Sequence, residues 1–417
     1  MPAFNPRDLR GRARYLPDVD DSLLAGVDLE SLYKHRLRRL REEMAAFDMD
    51  ACILFDAVNI RYATGARNMQ IFTSRNPAAR YLFIPREGRV VLFEFPGCSH
   101  LAANSLADEI RPCISASAVA ADHRQEEKIK QWADEMADLA RPCGIRLGME
   151  SATVLHQHAM ESRGFILSDA QRAIERARAQ KSSEEIKCVR HAIAAADAGV
   201  SRLRESVRPG MSENMLWAVL HDSIIAAGGD YVETRLMSSG ERTNPGFQES
   251  SARPVVGGEL VGLDTDVVGP FGYYADYSRT FYCGDGSPSP RQKALYQIAM
   301  EQIEHNLSII KPGMTFREIA EKAWKIPDEF TENRYFVLAH GVGMTGEYPY
   351  ILHPQDFDDA GYDGVLQPMT TLCLESYIGG KQDIEGVKLE QQILVTETGC
   401  EVLSNFPFEE SLAGRTW

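Results

Sequence analysis

The sequence lacks the features of a membrane protein and of a disulfide-linked secreted protein. It contains no uninterrupted apolar run of about 18 residues, the length that a membrane-spanning helix needs. Its first residues, 1–7, include no apolar signal-peptide core. Its eight cysteines form no C-x-x-C pair, which is typical of proteins from a reducing compartment. These absences predict a cytoplasmic protein that does not bind membranes.

Positive charge is scarce as well. The chain has 45 Lys and Arg against 60 Asp and Glu, a formal net charge of −15. A chain of this balance offers no basic stripe for a phosphate backbone, so we expect no nucleic-acid partner. What the sequence does have is length and apolar content: 417 residues, 44% of them hydrophobic, are enough for two domains with cores of their own.

The N-terminal part shows alternating helix and strand patterns. Apolar residues recur at helical spacing over residues 32–47, and strand-like runs occupy residues 51–55 and 81–85. Helices that alternate with strands predict an α/β domain, which we place at residues 1–175. Residues 1–30, rich in Pro and Arg and without a clear period, are expected to be an N-terminal arm.

The C-terminal part, residues 176–417, contains an internal repeat. A long helix over residues 170–207 is predicted to lead into it. The motif Pro-Gly-Met followed by Ser or Thr occurs at residues 209–212 and again at 312–315. In each copy the Pro-Gly pair ends one helix and the hydroxyl residue caps the next. The recurrence predicts two pseudo-symmetric α/β halves.

Three carboxylates flank a hairpin turn in this second domain. Asp264 and Asp266 precede the turn at residues 269–272, and Asp276 follows it. Alternate residues of a strand share a face, so Asp264 and Asp266 are expected to point together, with Asp276 reaching the same place from the return strand. Three carboxylates among apolar neighbours repel one another unless a cation lies between them. The hairpin therefore predicts a metal site.

Further candidate ligands lie downstream in strand-like segments, namely His340, Glu375 and Glu390. With the hairpin residues they give five carboxylates and one imidazole. This oxygen-rich set lacks the thiolates of a structural zinc site and suits two divalent ions such as Fe, Zn or Mn.

The order Asp, Asp, His, Glu, Glu, with a hairpin that ends Asp276-Tyr-Ser-Arg-Thr-Phe, resembles the pita-bread metallopeptidases. These include methionine aminopeptidase, aminopeptidase P, prolidase and creatinase. The additional Asp264 and the segment at residues 233–245 are more similar to the DddP-type lyases of dimethylsulfoniopropionate (DMSP). The resemblance implies a creatinase-like N-terminal domain, a pita-bread catalytic domain with pseudo-twofold symmetry, and a homodimer.

The resemblance also implies a role for each ligand. Asp276 and Glu390 would bridge a pair of ions. His340 and Glu375 would complete the shell of one ion, and Asp266, with the supplementary Asp264, would bind the other.

Three positions depart from the related families. The peptidases carry a second histidine seven residues after the ligand histidine, and this chain has Glu347 there. The lyase branch is expected to carry an Asp base after the His-Gly-Val-Gly-Met motif and a Trp in the Asn-Pro-x-Phe-Gln segment. This chain has Gly346 and Gly246 at those two positions. Glu347 and Tyr348 are therefore our candidates for proton transfer.

Substrate contacts are expected from Arg235, Arg242 and Tyr273, since an arginine can pair with a substrate carboxylate. We expect a metal-dependent carbon–sulfur lyase that cleaves a small onium carboxylate such as DMSP by β-elimination. The alternatives are an Xaa-Pro dipeptidase or aminopeptidase-type hydrolase, a paralogue that acts on a different small substrate, and a protein of this fold that only binds.

Overall fold

The computed structural model describes residues 26–414, and almost all of the expected N-terminal arm lies outside this range. The chain divides into two compact units between Arg178 and Ala179. The domain limits expected from the sequence place the boundary within the same helix, Gln171–Ala179. Across residues 26–414, no helix combines the length and the apolar character needed to cross a bilayer.

In the first unit, helices and strands alternate. The helices are α1 (Leu29–Ala46), α2 (Ala57–Thr64), α3 (Gln70–Arg75), α4 (Ala118–Ala121), α5 (Gln125–Ala140), α6 (Val154–Glu161) and α7 (Gln171–Ala179). The strands are β1 (Ala51–Leu54), β2 (Tyr81–Pro85), β3 (Val91–Glu94), β4 (Glu109–Pro112), β5 (Arg146–Met149) and β6 (Ile166–Asp169). They form one six-stranded sheet in the order β4-β3-β2-β1-β5-β6, with parallel and antiparallel pairs.

The pattern of apolar residues explains this unit. In α1 the buried side chains include Leu32, Leu40 and Met44, which lie on one helical face, as the spacing predicts. Strands β1 and β2 are buried along their whole length. Trp132 of α5 packs against Tyr81 of β2 at 6.3 Å between ring centroids. The predicted α/β character of this unit is confirmed.

The second unit contains three sheets and six helices within the described residues. The helices are α8 (Ser183–Ser206), α9 (Glu213–Ala226), α10 (Pro290–Ile309), α11 (Phe316–Lys322), α12 (Pro354–Ala360) and α13 (Glu410–Ala413). The strands are β7 (Tyr231–Val232), β8 (Met237–Ser239), β9 (Leu260–Asp264), β10 (Val267–Val268), β11 (Tyr274–Ala275), β12 (Ser278–Tyr282), β13 (Val337–Val342), β14 (Gly346–Leu352), β15 (Thr371–Ile378), β16 (Val387–Val395) and β17 (Cys400–Val402). The sheet orders are β11-β10-β7, β12-β9-β8 and β14-β13-β15-β16-β17.

The single helix expected over residues 170–207 is two helices, so that prediction was wrong. Helix α7 ends at Ala179 and α8 begins at Ser183. The Ser182 hydroxyl accepts from the Glu185 amide (3.2 Å), and the Glu185 carboxylate accepts from the Ser182 amide (2.7 Å). This capping box starts a new helix. The predicted caps of α9 and α11, by Ser212 and Thr315, are confirmed.

The carboxylate hairpin forms, but its strands are interrupted. Strands β9 and β12 pair as far as Asp264 opposite Ser278, and β10 and β11 pair beyond the interruption. Asp266 lies in the gap with a left-handed backbone (φ +41°), so the continuous strand expected for Asp264 and Asp266 was wrong. The Thr265 hydroxyl accepts a hydrogen bond from the Tyr277 amide across the gap (3.0 Å). The gap leaves Asp266 and Asp276 outside the regular pairing.

Candidate metal centre

One face of the five-stranded sheet carries most of the predicted ligands. Glu375 on β15 lies directly opposite Glu390 on β16, and His340 on β13 lies opposite Cys373 on β15. Because alternate residues share a face, Lys388 points the same way as Glu390. Two glutamates placed directly opposite each other repel, so this face needs positive charge nearby.

The carboxylate hairpin supplies the other side of the cluster. Oxygens of Asp264, Asp276 and Glu390 lie within 4.8 Å of one another, and so do ligand atoms of Asp276, His340 and Cys373. Asp276 is fixed through its amide, which donates to Gln392 on β16 (3.0 Å). The hairpin and the sheet face therefore meet at a single buried cluster of acids.

Asp266 interacts electrostatically with the same cluster. Burial and the charges of Asp276 and Asp264 raise the pKa of Asp266 well above its ordinary value. Burial, partly offset by His340, raises the pKa of Asp276 to about 7. The cluster thus holds more negative charge than its buried environment tolerates.

The two ring nitrogens of His340 have different partners. Its Nδ1 lies 3.0 Å from its neighbour's carbonyl at Gly341 and is assigned as the donor, which leaves Nε2 facing Glu375 (3.1 Å) and Asp276 (3.5 Å). Burial disfavours the charged ring, but the hydrogen bond to Glu375 and the charges of Asp276 and Glu375 raise the pKa of His340 to about 9.

The residues present fit a divalent cation. Within the described part of the chain, the buried Asp264 Oδ1 has no hydrogen-bond partner. A buried carboxylate oxygen without a donor, among carboxylates that repel one another, is the environment that a cation stabilises. The carboxylate and imidazole donors are those that Fe, Zn and Mn accept.

Sequence reasoning missed two side chains of this cluster. Lys388 Nζ lies 2.6 Å from Glu375 Oε2 and also contacts Glu390 Oε1. The Cys373 thiol donates to the carbonyl of Asp276 (3.2 Å). Both lie two residues before a predicted ligand on the same strand, so the strand period would have found them.

The two candidate bases have other partners. Glu347 forms an ion pair with Lys181, and both side chains are buried. Tyr348 packs against Phe316, with ring centroids 5.9 Å apart. Their role in proton transfer stays a prediction. The ion pair of Glu347 and the ring contact of Tyr348 give each of them a structural role.

A register shift in the β13–β14 hairpin explains this placement. His340 pairs with Tyr350, whereas the next residue, Gly341, pairs with Glu347. Tyr350, rather than Glu347, therefore lies beside His340, and the two rings stack with their centroids 5.4 Å apart. A Cβ added at Gly346 would lie 3.6 Å from the Tyr350 hydroxyl and 4.0 Å from His340 Nδ1.

The three residues expected to bind substrate also bond elsewhere. The exposed Arg235 donates through Nε to the Ser250 hydroxyl (2.8 Å), and Arg242 pairs with the buried Glu213. The Tyr273 hydroxyl donates to a carboxylate on α8 (2.8 Å). These bonds connect Arg235, Arg242 and Tyr273 to other parts of the second unit. The role of the three residues in substrate binding stays a prediction.

Aromatic rings border the cluster on the Lys388 side. Phe247 and Tyr335 lie 4.7 Å apart, and the Lys388 ammonium is 5.7 Å from each ring centre. A cavity of about 30 Å³ beside them is lined by Asp264, Lys388 and Tyr377, among others. Phe247, about half exposed, is the ring that opens to the surface.

Two family models match the chain. Residues 187–397 match Metallopeptidase family M24, and residues 36–180 match the Creatinase/Prolidase N-terminal domain. The carboxylates and the histidine of the cluster all fall within the first of these matches.

Among curated proteins, the chain is similar to the dimethylsulfoniopropionate lyase DddP of Roseovarius nubinhibens. Identity is 33%, over 94% of this chain and 90% of the relative. It is also similar to the Xaa-Pro dipeptidase of Pyrococcus furiosus, at 28% identity over 54% of this chain and 62% of that protein. Among solved structures, the Xaa-Pro dipeptidase of Bacillus anthracis matches with a TM-score of 0.73 and 23% identity, covering 90% of this chain and 99% of that one.

Proposed function

Because the chain belongs to metallopeptidase family M24, we propose that it is a metal-dependent lyase that cleaves a small onium carboxylate by β-elimination, with DMSP as its substrate. The observation that carries this proposal is similarity to a DMSP lyase along 94% of the chain. Sequence similarity to the Xaa-Pro dipeptidase of Pyrococcus furiosus extends along only 54%. The fold is common to both groups, so the length of the match favours the lyase.

We propose that two divalent ions, of Fe, Zn or Mn, bind in the acidic cluster. Their ligands would be Asp264, Asp266, Asp276, His340, Glu375 and Glu390. When bound, such an ion supplies a Lewis acid that withdraws charge from a substrate carboxylate and acidifies the adjacent C–H. The bond from Nδ1 to a backbone carbonyl keeps the other nitrogen of His340 directed at the cluster.

In the elimination a base removes the proton from the carbon next to the carboxylate. The C–H electron pair becomes the carbon–carbon double bond, and the C–S pair leaves with the sulfur, giving acrylate and dimethyl sulfide. The placement of Tyr350 supports it as the base, because its hydroxyl lies next to the position where the lyase branch is expected to carry an Asp. Glu347, paired with Lys181, is less well placed for this step.

One feature favours a substrate that carries an onium group. The aromatic faces of Phe247, Tyr335 and Tyr350 border the cluster. A sulfonium over an aromatic face gains about 0.5–2 kcal/mol. A peptidase would instead need, at residue 347, a side chain that polarises the scissile amide of its substrate. Glu347, which pairs with Lys181, does not provide such a group.

We also propose a cytoplasmic homodimer. The eight cysteines are all free thiols, which supports a reducing compartment. The dimer is inferred from the family resemblance.

Parallel assays of the metal-loaded protein with DMSP and with Xaa-Pro dipeptides test the proposal. We expect dimethyl sulfide, measured by gas chromatography, together with one equivalent of acrylate, and no free proline. Proline release without dimethyl sulfide would show a hydrolase. Formation of neither product would point to another substrate or to a protein that only binds.

Gly346→Asp is expected to increase DMSP cleavage. The nearest atoms to an added Cβ, the Tyr350 hydroxyl and His340 Nδ1, are at ordinary contact distance, so the backbone accepts a Cβ here. A positioned general base contributes about 10²–10⁴-fold, and we expect kcat/KM to rise by at least about tenfold.

Gly346→Asn is the matched control, since it has the same shape without a basic carboxylate. It should not exceed the wild-type rate. An equal rise of kcat/KM in both variants, or a fall in the Asp variant alone, would mean that the base does not act from the position of residue 346.

A further inference from the structure

The ammonium of Lys388 lies inside the acidic cluster. The side chain is 11% exposed, and Nζ lies 2.6 Å from Glu375 Oε2 and 3.7 Å from Asp264 Oδ2, and it contacts Glu390 Oε1. Half of the six proposed metal ligands therefore also form ion pairs with this lysine. A lysine this deep in a protein is retained only when its charge is paired.

The charge of the cluster accounts for its presence. Five carboxylates exceed the positive charge of two divalent ions by one unit when His340 is neutral, and Lys388 supplies that unit. The surplus carboxylate is Asp264, the ligand that is additional to the Asp, Asp, His, Glu, Glu order. The pairing of a supplementary acid with a buried lysine leaves the loaded cluster electrically neutral.

We propose that Lys388 is a built-in cation of the metal centre, which competes with a divalent ion for Glu375 and Glu390 and stabilises the cluster when that ion leaves. This inference rests on the proposed function, since it assumes that the cluster binds metal. It assigns Lys388 a positioning role, because it acts on the ligands rather than on the substrate.

The aromatic rings next to Lys388 support this role. The ammonium lies 5.7 Å from the centres of both Phe247 and Tyr335. A cation held near two aromatic faces retains favourable electrostatic contacts when a carboxylate partner turns toward a metal ion. The four-carbon chain of lysine allows the small shift that such sharing requires.

Lys388→Met tests the proposal through two measurements that should move in opposite directions. Affinity for Mn²⁺, measured by calorimetric titration of chelator-treated protein, should rise by at least about tenfold because the competing cation is gone. The Tm of the chelator-treated protein should fall by roughly 5–15 °C, because buried carboxylates lose their partner.

Two variants serve as controls. Lys388→Arg keeps the charge and should hold both values closer to wild type. Lys381 lies on the connection between β15 and β16, and its ion pair with Glu332 is exposed. Lys381→Met should therefore change neither the Mn²⁺ affinity nor the Tm. If Lys388→Met does not fold, Asp264→Asn/Lys388→Met removes one charge of each sign, and its chelator-treated form should fold.

A lysine that merely supports the structure would lower both metal affinity and Tm on removal, and that result would overturn the proposal. So would a Lys388→Met protein that matches wild type in both. If the wild type binds Mn²⁺ and releases dimethyl sulfide while the variant matches it, this inference fails and the proposed function stands. If the wild type binds no metal, both fail.

Discussion

Asp276→Ala is expected to abolish DMSP cleavage. Asp276 is the proposed ligand that is common to two groups of the cluster. It lies with Asp264 and Glu390 in one group of oxygens and with His340 in another. Its removal disrupts both groups together. We expect kcat/KM to fall on the order of 10³-fold or more, the size of loss seen when one member of a unit is removed. Gas chromatography of dimethyl sulfide measures it.

The fold of this variant should be intact. Burial raises the pKa of Asp276 to about 7, above its ordinary value of 3.8, so without metal its contribution to stability is lost as the pH rises through 7. Chelator-treated Asp276→Ala should therefore be at least as stable as chelator-treated wild type at a pH of about 8. Asp285→Ala, an exposed aspartate beyond the same hairpin, is the matched control and should keep full activity. Normal turnover by Asp276→Ala would show that the site assignment is wrong.

Arg279→Met is expected to give the largest loss of stability. The fully buried guanidinium donates to the carbonyls of Glu390 (2.8 Å) and Phe406 (2.6 Å). It also lies over the rings of Tyr277 (4.8 Å) and Phe408 (4.6 Å). Methionine fills similar space but donates to neither carbonyl. We expect a loss of about 3–5 kcal/mol in the free energy of unfolding.

Thermal unfolding followed by circular dichroism measures this loss. For a unit of this size the loss corresponds to a fall of roughly 6–20 °C in Tm. Arg291→Met is the matched control: Arg291 pairs with Asp383 (2.7 Å) and Glu329 (2.8 Å) while about half exposed, so its loss should cost within about 1 kcal/mol. Equal effects of the two substitutions would mean that the Arg279 bonds do not hold the hairpin to β16.

The alternation of side chains along a strand explains how much of the site could be predicted from the sequence. Glu375 and Glu390 stand in apolar strand segments, and residue alternation places them on one buried face, where they lie opposite each other. The same rule points to Lys388, two residues before Glu390. The break between α7 and α8 was also readable, because Ser182 and Glu185 have the spacing of a capping box.

Tertiary structure determined the remaining features. The left-handed backbone at Asp266 lies next to the bond of Thr265 across the hairpin, and no local pattern predicts either feature. The register shift after His340 places Tyr350 beside it and turns Glu347 toward Lys181. Such irregularities re-aim side chains next to functional sites, and a sequence period does not contain them.

We propose that Asp276, His340, Glu375 and Glu390 surround divalent metal. An anomalous difference map from a crystal of the protein loaded with Mn²⁺, recorded near the metal absorption edge, tests it most directly. We expect strong density within roughly 2.0–2.6 Å of oxygens of Asp276 and Glu390. A map without density in this cluster, or with metal bound only elsewhere on the chain, would contradict it.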